Sequence, residues 1–480
     1  MLNIEPGLFL AVAAAAIAWF VIGTGLLQNL IYLVQLGLAA TALVERPPTS
    51  QAGVMWRRLS ESAPPIALLA PAYNESLTIS QSVRSLLSLH YPNFEVVVIN
   101  DGSSDDTLAV LIETFDLEPI ERHYDLEIAH AAIRGLYGAV HQPRLIVIDK
   151  VNGGKADALN AGINVSRAPI FCSMDADSLL EPDALLRAVR PFVEDPVRTV
   201  AVGGTVRIAN GCVIADGRVV EVRAPRNLLA LLQTVEYLRA FLMARLAWSR
   251  INTLTIISGA FGLFRRARVI EVGGYTHATV GEDMELVVKL HRLMRDNGLP
   301  YRIAFVPEPV CWTEAPESLS VLGRQRSRWH RGALETFERH WPMLFIPRYG
   351  RVGAIGFGYI LLVDVLGPIV EALGYLLIPL FWMSGLLSVE YLLAFVAMSF
   401  TFGVVISVGS LALEESELRR FPRARDLVLL TLVAVLENFG YRQLNTLWRL
   451  RGVLQYLRRS QSWGTMTRKG FGSASVTRGT

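Results

Sequence analysis

The chain has 480 residues, 52% of them apolar and only 19% charged, against about 25% charge in a typical soluble domain. With a mean hydropathy of +0.36, this balance excludes a disordered chain, and three cysteines exclude a disulfide scaffold. A net charge of +3 gives no case for nucleic acid as a partner. In chain order, the stretch from Pro6 to Val44 carries no charge and predicts one tilted membrane helix. Its only candidate turn is Gly23-Thr24-Gly25, and it is too long, with no basic residue before it, for a cleaved signal peptide. From Glu45 to about Met343 charges are spread evenly and short β-branched runs alternate with amphipathic stretches. Strands are expected over Pro65 to Ala70, Glu95 to Asn100, Leu145 to Ile148, Ala168 to Met174 and Thr199 to Val206. Helices are expected over Ser76 to Leu89, Lys155 to Asn164 and Leu286 to Leu293. Alternation of this kind predicts an α/β domain whose mostly parallel sheet is covered on both faces.

After Trp341 the apolar runs return, at Val352 to Val363, Ala372 to Val389, Tyr391 to Leu413 and Leu427 to Leu436. The expected organisation is a membrane helix over 1–48, an α/β domain over 49–345, membrane helices over 346–447 and a basic tail over 448–480. Arg46, Arg57 and Arg58 follow the first helix, which puts the α/β domain in the cytoplasm of a multi-pass protein of the cell membrane. The same rule puts both the Arg419, Arg420, Arg423, Arg425 loop and the Arg449, Arg451, Arg458, Arg459 tail in the cytoplasm. A single crossing over Leu427 to Leu447 contradicts that, so either this segment is re-entrant or one charge cluster is misassigned.

Acids gather where strands end. The first strand runs into Tyr73-Asn74-Glu75, the second into Asp101-Gly102-Ser103-Ser104-Asp105-Asp106, and the fourth into Asp175-Ala176-Asp177. Ligands of open α/β sheets bind beyond such carboxyl ends. Singly, these residues read equally as turns and helix caps. Two carboxylates at i and i+2 also suit one hard divalent cation, Mg2+ or Mn2+. Glu282 and Asp283 open a helix, where acids are favoured by the helix dipole and where one could serve as a general base. Gln325-Arg326-Ser327-Arg328-Trp329 joins diphosphate-binding groups to an aromatic platform, and reads equally as a basic helix lying on lipid.

The order of these motifs resembles the family 2 glycosyltransferases with a GT-A fold. It is similar in particular to their membrane-embedded polysaccharide synthases, which make cellulose, hyaluronan, chitin and poly-N-acetylglucosamine. The D, DxD, ED and QxxRW signatures of that family correspond here to Asp101, Asp175-Ala176-Asp177, Glu282-Asp283 and Gln325 to Trp329. The resemblance implies that Tyr73, Glu75 and Asp101 face a uridine, and that Lys155 lies near the diphosphate. It implies Asp175 and Asp177 as ligands of Mg2+ or Mn2+, Asp283 as the base beside Glu282, Gln325 and Arg328 on the diphosphate, and Trp329 on the acceptor sugar. In the tail, Trp463-Gly464-Thr465 with Arg468 looks like a WGT(R) gating motif, although Met466 and Thr467 separate Arg468 from Thr465.

By that resemblance a UDP-sugar is the donor, the anomeric configuration inverts, and the product is a growing β-linked polysaccharide exported through the bilayer. A non-processive enzyme adding one sugar to a lipid acceptor shares the same motifs. Short motifs encode neither the sugar, the linkage nor an accessory subunit. Asp364 and Glu371, between apolar runs, are expected either along a polymer channel, or at an interface or in a turn near Gly367-Pro368.

Overall fold

The computed structural model describes residues 6–45, 63–215, 217–277, 279–418 and 423–459. Its strands are β1 (Ile66–Ala72), β2 (Phe94–Asp101), β3 (Leu117–Pro119), β4 (Ile133–Ala139), β5 (Gln142–Lys150) and β6 (Ile170–Met174), followed by β7 (Leu179–Leu180), β8 (Thr199–Ile208), β9 (Val213–Ala215), β10 (Arg218–Glu221), β11 (Phe261–Arg265) and β12 (Arg302–Thr313). Among the described residues, ten of these form one sheet in the order β3-β4-β5-β2-β1-β6-β11-β8-β12-β7. β5, β2, β1 and β6 run parallel, and their interior residues are buried on both faces, as their unbroken apolar runs require.

β11 enters this sheet antiparallel, between β6 and β8, with Phe261 opposite Met174. That reversal brings the loop before β11, Ser258-Gly259-Ala260, to the same edge as the residues that follow β6. Every strand-end loop that matters for the site therefore lies along one rim.

The helices are α1 (Pro6–Glu45), α2 (Ile79–Leu87), α3 (Thr107–Phe115), α4 (Lys155–Val165), α5 (Ala184–Glu194), α6 (228–250), α7 (Arg266–Glu271), α8 (Glu282–Asp296) and α9 (Leu319–His340). Beyond them come α10 (Val352–Met383), α11 (Val389–Leu418), α12 (Ala424–Leu436) and α13 (Tyr441–Leu457). α4 covers β1 and β2, where a Cβ on Gly162 would lie 3.1 Å from the Ile99 side chain and 3.2 Å from that of Leu69, while α5 packs on β8 and β12. α6 widens to π geometry over Leu238–Arg245, and α10 does so at Val352–Gly356 and Ile360–Leu366. Such widened turns often mark functional sites.

Among the described residues three helices are long and apolar enough to cross a membrane: Phe9–Glu45, Val352–Met383 and Val389–Glu415. α1 passes straight through Gly23-Thr24-Gly25 and leaves Phe9, Trp19, Phe20 and Leu30 exposed, as lipid contact requires. α10 is continuous through Gly367-Pro368, so no turn lies there. α12 and α13 meet at an angle of 60°. α13 turns back against α9, where Ser327 Oγ donates to the Trp448 carbonyl at 2.9 Å and a Cβ on Gly452 would lie 2.7 Å from the Ser327 carbonyl. The segment is therefore not one straight span, and the bend fits a broken span as well as a re-entrant loop. Arg419 and Arg420 lie outside the described residues.

Candidate active site

The two loops after β1 and β2 are stitched together by their own polar groups. Asn74 adopts the left-handed conformation, which Asn tolerates better than most residues, with φ of 56°. Its Oδ1 accepts from the Ser104 amide at 2.8 Å. The Glu75 amide donates to Thr107 Oγ1 at 2.9 Å, and the Ser76 amide to Asp105 Oδ2 at 3.1 Å. Tyr73 stands exposed on this stitched ledge, and Glu75 Oε2 accepts from Thr78 Oγ1 at 2.9 Å.

Asp101 is buried and fully engaged. Register puts it opposite Lys150 on β5, and the Lys150 ammonium reaches its Oδ1 at 2.6 Å. The amides of Gly153 and Gly154 donate to its two carboxylate oxygens at 3.0 and 2.8 Å. Lys150 is itself wholly buried and also pairs with Asp157 at 2.5 Å. The Asp101–Lys150–Asp157 chain thus fixes the Asn152-Gly153-Gly154 loop that delivers Lys155. Gly153 has no room for a side chain, since a Cβ there would lie 2.4 Å from the Asp157 carboxylate.

The acids expected to do chemistry converge on Lys155. Its ammonium meets Asp175 Oδ1 at 2.5 Å and the Gly259 carbonyl at 3.3 Å. The Gly259 amide donates to Asp283 Oδ2 at 3.0 Å, while Oδ1 accepts from the Met284 amide at 2.8 Å in the first turn of α8. The loop before β11 therefore supplies both the backbone N–H and the backbone carbonyl of Gly259 to the site. Burial alone would lower the Lys155 pKa, but Asp175, Glu282 and Asp283 outweigh it and hold the ammonium above its ordinary value. Glu282 is buried; burial pushes its carboxyl up, Asp283 adds to that, and Lys155 and Arg328 oppose it.

α9 brings the basic-aromatic cluster to the opposite wall. Arg326 pairs with Glu236 at 2.9 Å, and its guanidinium lies 4.6 Å from the centre of the Trp329 ring. The start of α8 and the middle of α9 touch backbone to backbone: a Cβ on Gly332 would lie 2.8 Å from Gly281. Gln325, Arg328 and Trp329 line a cavity of about 970 Å³ together with Lys155, Asp175, Asp177, Glu282 and Asp283. Tyr73, Glu75 and Asp101 lie outside that lining, on the rim beyond it. From Trp329 the cavity continues to Tyr32 and Gln35 of α1, Val363 and Asp364 of α10, and Arg449 of α13. Trp463, Gly464, Thr465 and Arg468 lie outside the described residues.

Asp175 and Asp177 fit a hard divalent cation in their chemistry and position, as two carboxylates at a strand end facing one cavity. Among the described residues no cluster of three metal-ligating side chains occurs, so a cation here would complete its shell from substrate phosphates and water. That arrangement suits Mg2+ or Mn2+.

Residues 64–332, which hold the sheet and all four motifs, match the family model described as Glycosyltransferase like family 2. The chain belongs to this glycosyltransferase family. The glycosyltransferase fold extends over nearly the whole chain: a mannosyltransferase from Pyrobaculum calidifontis, solved with GDP-Man and Mn2+, aligns with 94% of this chain and 100% of its own at a TM-score of 0.52 and 18% identity. The poly-beta-1,6-N-acetyl-D-glucosamine synthase of Staphylococcus epidermidis is 30% identical over 305 residues, covering 62% of this chain and 63% of that protein. The synthase of the same name from Staphylococcus aureus strain COL is 30% identical over 275 residues, covering 57% and 56%. The match thus spans less than two thirds of these curated relatives.

The glycosyltransferase site holds three features beyond the sequence motifs. They are Lys150 beneath Asp101, the Gly259 peptide between Lys155 and Asp283, and Arg245 of α6 in the cavity wall. An antiparallel insertion and a buried cation leave no mark in a short motif, which is why only the structure reveals them.

Proposed function

We propose that the protein transfers sugar from a UDP-sugar to the end of a growing β-linked polysaccharide, with inversion at the anomeric carbon, and passes the product into the membrane. The observation that carries this reading is the continuity of the cavity, from Asp175 and Asp283 past Trp329 to the membrane helices α1 and α10. The cavity offers a growing sugar chain a path from the acidic site to these helices. The synthase relatives point to UDP-N-acetylglucosamine as the first donor to try.

In this reading the uridine rests on the ledge of Tyr73 and Glu75, above the loop that Asp101 anchors. Asp175 and Asp177 hold Mg2+ or Mn2+, which when bound neutralises charge on the diphosphate. Lys155, Gln325 and Arg328 bind the diphosphate oxygens and stabilise the negative charge that grows on the departing UDP. Trp329 stacks on the acceptor sugar. Asp283, aimed by the Gly259 and Met284 amides, takes the proton of the attacking hydroxyl. The new C–O bond forms opposite the bond to UDP as that bond breaks, and the proton stays on Asp283 until solvent removes it.

The basic residues Arg46, Arg57 and Arg58 after the first helix support a catalytic domain on the cytoplasmic side. The test is UDP release by purified protein with Mn2+ and a panel of UDP-sugars, followed by sizing of labelled product. High-mass product from one donor is the expected result. A single organic-extractable glycolipid would replace this reading with lipid glycosylation.

A further inference from the structure

α6 carries a ladder of side chains along the cavity wall. Tyr237, just before the π-widened segment, and Phe241 and Arg245 within it follow one another at intervals of four. The Tyr237 and Phe241 rings lie 5.3 Å apart, and the Arg245 guanidinium sits 3.7 Å from the centre of the Phe241 ring. All three line the cavity that holds Asp283. Stacking uses the face of the guanidinium and leaves its in-plane N–H groups for other partners. Arg245 Nη1 is buried and has no hydrogen-bond partner among the described residues.

An orphaned buried donor on a charged group is costly, and native proteins seldom keep one without a use. The other basic residues in this region are differently employed: Arg326 is paired with Glu236, and Lys155 with Asp175. Burial pulls the Arg245 guanidinium down to about 10, with Asp283 and then Tyr237 opposing, so it stays charged at neutral pH. Arg245 and Asp283 line the same cavity, together with Trp329 of α9.

Resting on the synthase reading above, we propose that Arg245 is an acceptor-binding residue, whose in-plane N–H groups hold hydroxyl or amide-carbonyl oxygens of the terminal sugar and present its nucleophilic hydroxyl to Asp283. Phe241 keeps the guanidinium flat and fixed, and Tyr237 extends the same wall. No proton changes hands at Arg245; its work is to position a neutral sugar.

The test partitions donor between two fates, transfer to polymer and transfer to water. Full-length protein in detergent is given radiolabelled UDP-N-acetylglucosamine and Mn2+, and UDP release and polymer incorporation are measured in the same reaction. For Arg245→Met we expect UDP binding and UDP release to water to persist while incorporation per UDP released falls about tenfold or more. Arg245→Gln, which keeps an in-plane NH2 donor, should fall less. If Arg245→Met does not fold, as judged by its circular dichroism and thermal midpoint, the ratio is read from Arg245→Gln. An unchanged ratio in the folded variants overturns the assignment. So does loss of UDP binding in Arg245→Gln with its fold intact, which would put Arg245 on the donor side. A wild-type protein that turns over none of the UDP-sugars overturns the synthase reading and this assignment with it, whereas polymer formation by wild type isolates any failure to Arg245.

Discussion

Asp283 and Lys150 are both held by short polar contacts, yet they answer to different measurements. Asp283→Asn retains the shape and the Gly259 contact but removes the group that accepts a proton. Sugar transfer should fall by at least about a hundredfold while UDP binding, followed by calorimetry, stays within about threefold of wild type. Substantial transfer by that variant would remove Asp283 as the base. Lys150 instead lies beneath the site between Asp101 and Asp157. Lys150→Met leaves two buried carboxylates without their cation and should destabilise the domain by roughly 3–5 kcal/mol, read as a lower thermal midpoint. Asp175, Asp177 and Asp283 were legible in the sequence because acids at strand ends and helix starts occupy the rim that binds ligands. Lys150 and Arg245 were not, since a basic residue in an apolar stretch looks the same whether it faces solvent, a carboxylate or a cavity.

At the scale of elements, α8 is anchored by a histidine that must stay neutral. His291 is wholly buried, with Nε2 donating to the Leu254 carbonyl at 2.8 Å and Nδ1 accepting from the Tyr301 hydroxyl at 2.6 Å, the tautomer its partners require. Burial lowers its pKa to about 4 from an ordinary 6.5. As pH falls below 6.5 the unfolded chain gains this proton before the folded one does. The stability tied to His291 is therefore present above that pH and drains away toward pH 4, by up to roughly 3 kcal/mol. The thermal midpoint should drop across that window, and His291→Gln should flatten the drop; an unaltered acid branch would refute the link. The strands β1, β2, β5, β6 and β8 were legible from their β-branched runs. β11 was missed because Gly262 interrupts a five-residue strand, and β12 because Pro307 and Pro309 break its pattern, which the sheet absorbs as register shifts.

Over the whole molecule, charge pairs tie the α/β domain to the apolar helices and those helices to one another. Arg207 of β8 meets Glu414 of α11, and both are buried. Arg239 of α6 meets Glu437 at the α12–α13 bend. Arg442 and Arg449 of α13 reach Glu371 and Asp364 of α10, each at 3.3 Å. Glu414→Gln leaves Arg207 without its buried counter-charge and should lower the thermal midpoint in detergent, a loss of roughly 3–5 kcal/mol. An unchanged midpoint would mean the Arg207 charge finds another partner. The sequence located the apolar runs and the charge conflict around Leu427 to Leu447. The 60° bend depends on packing against α9, which no local pattern encodes.

The contact between Gly281 and Gly332 leaves no space for one helix to slide past the other. The helix bearing the proton acceptor and the helix bearing the indole platform are thereby geared together. In the proposed reaction Asp283 and Trp329 would therefore keep a fixed spacing while the sugar chain moves past them.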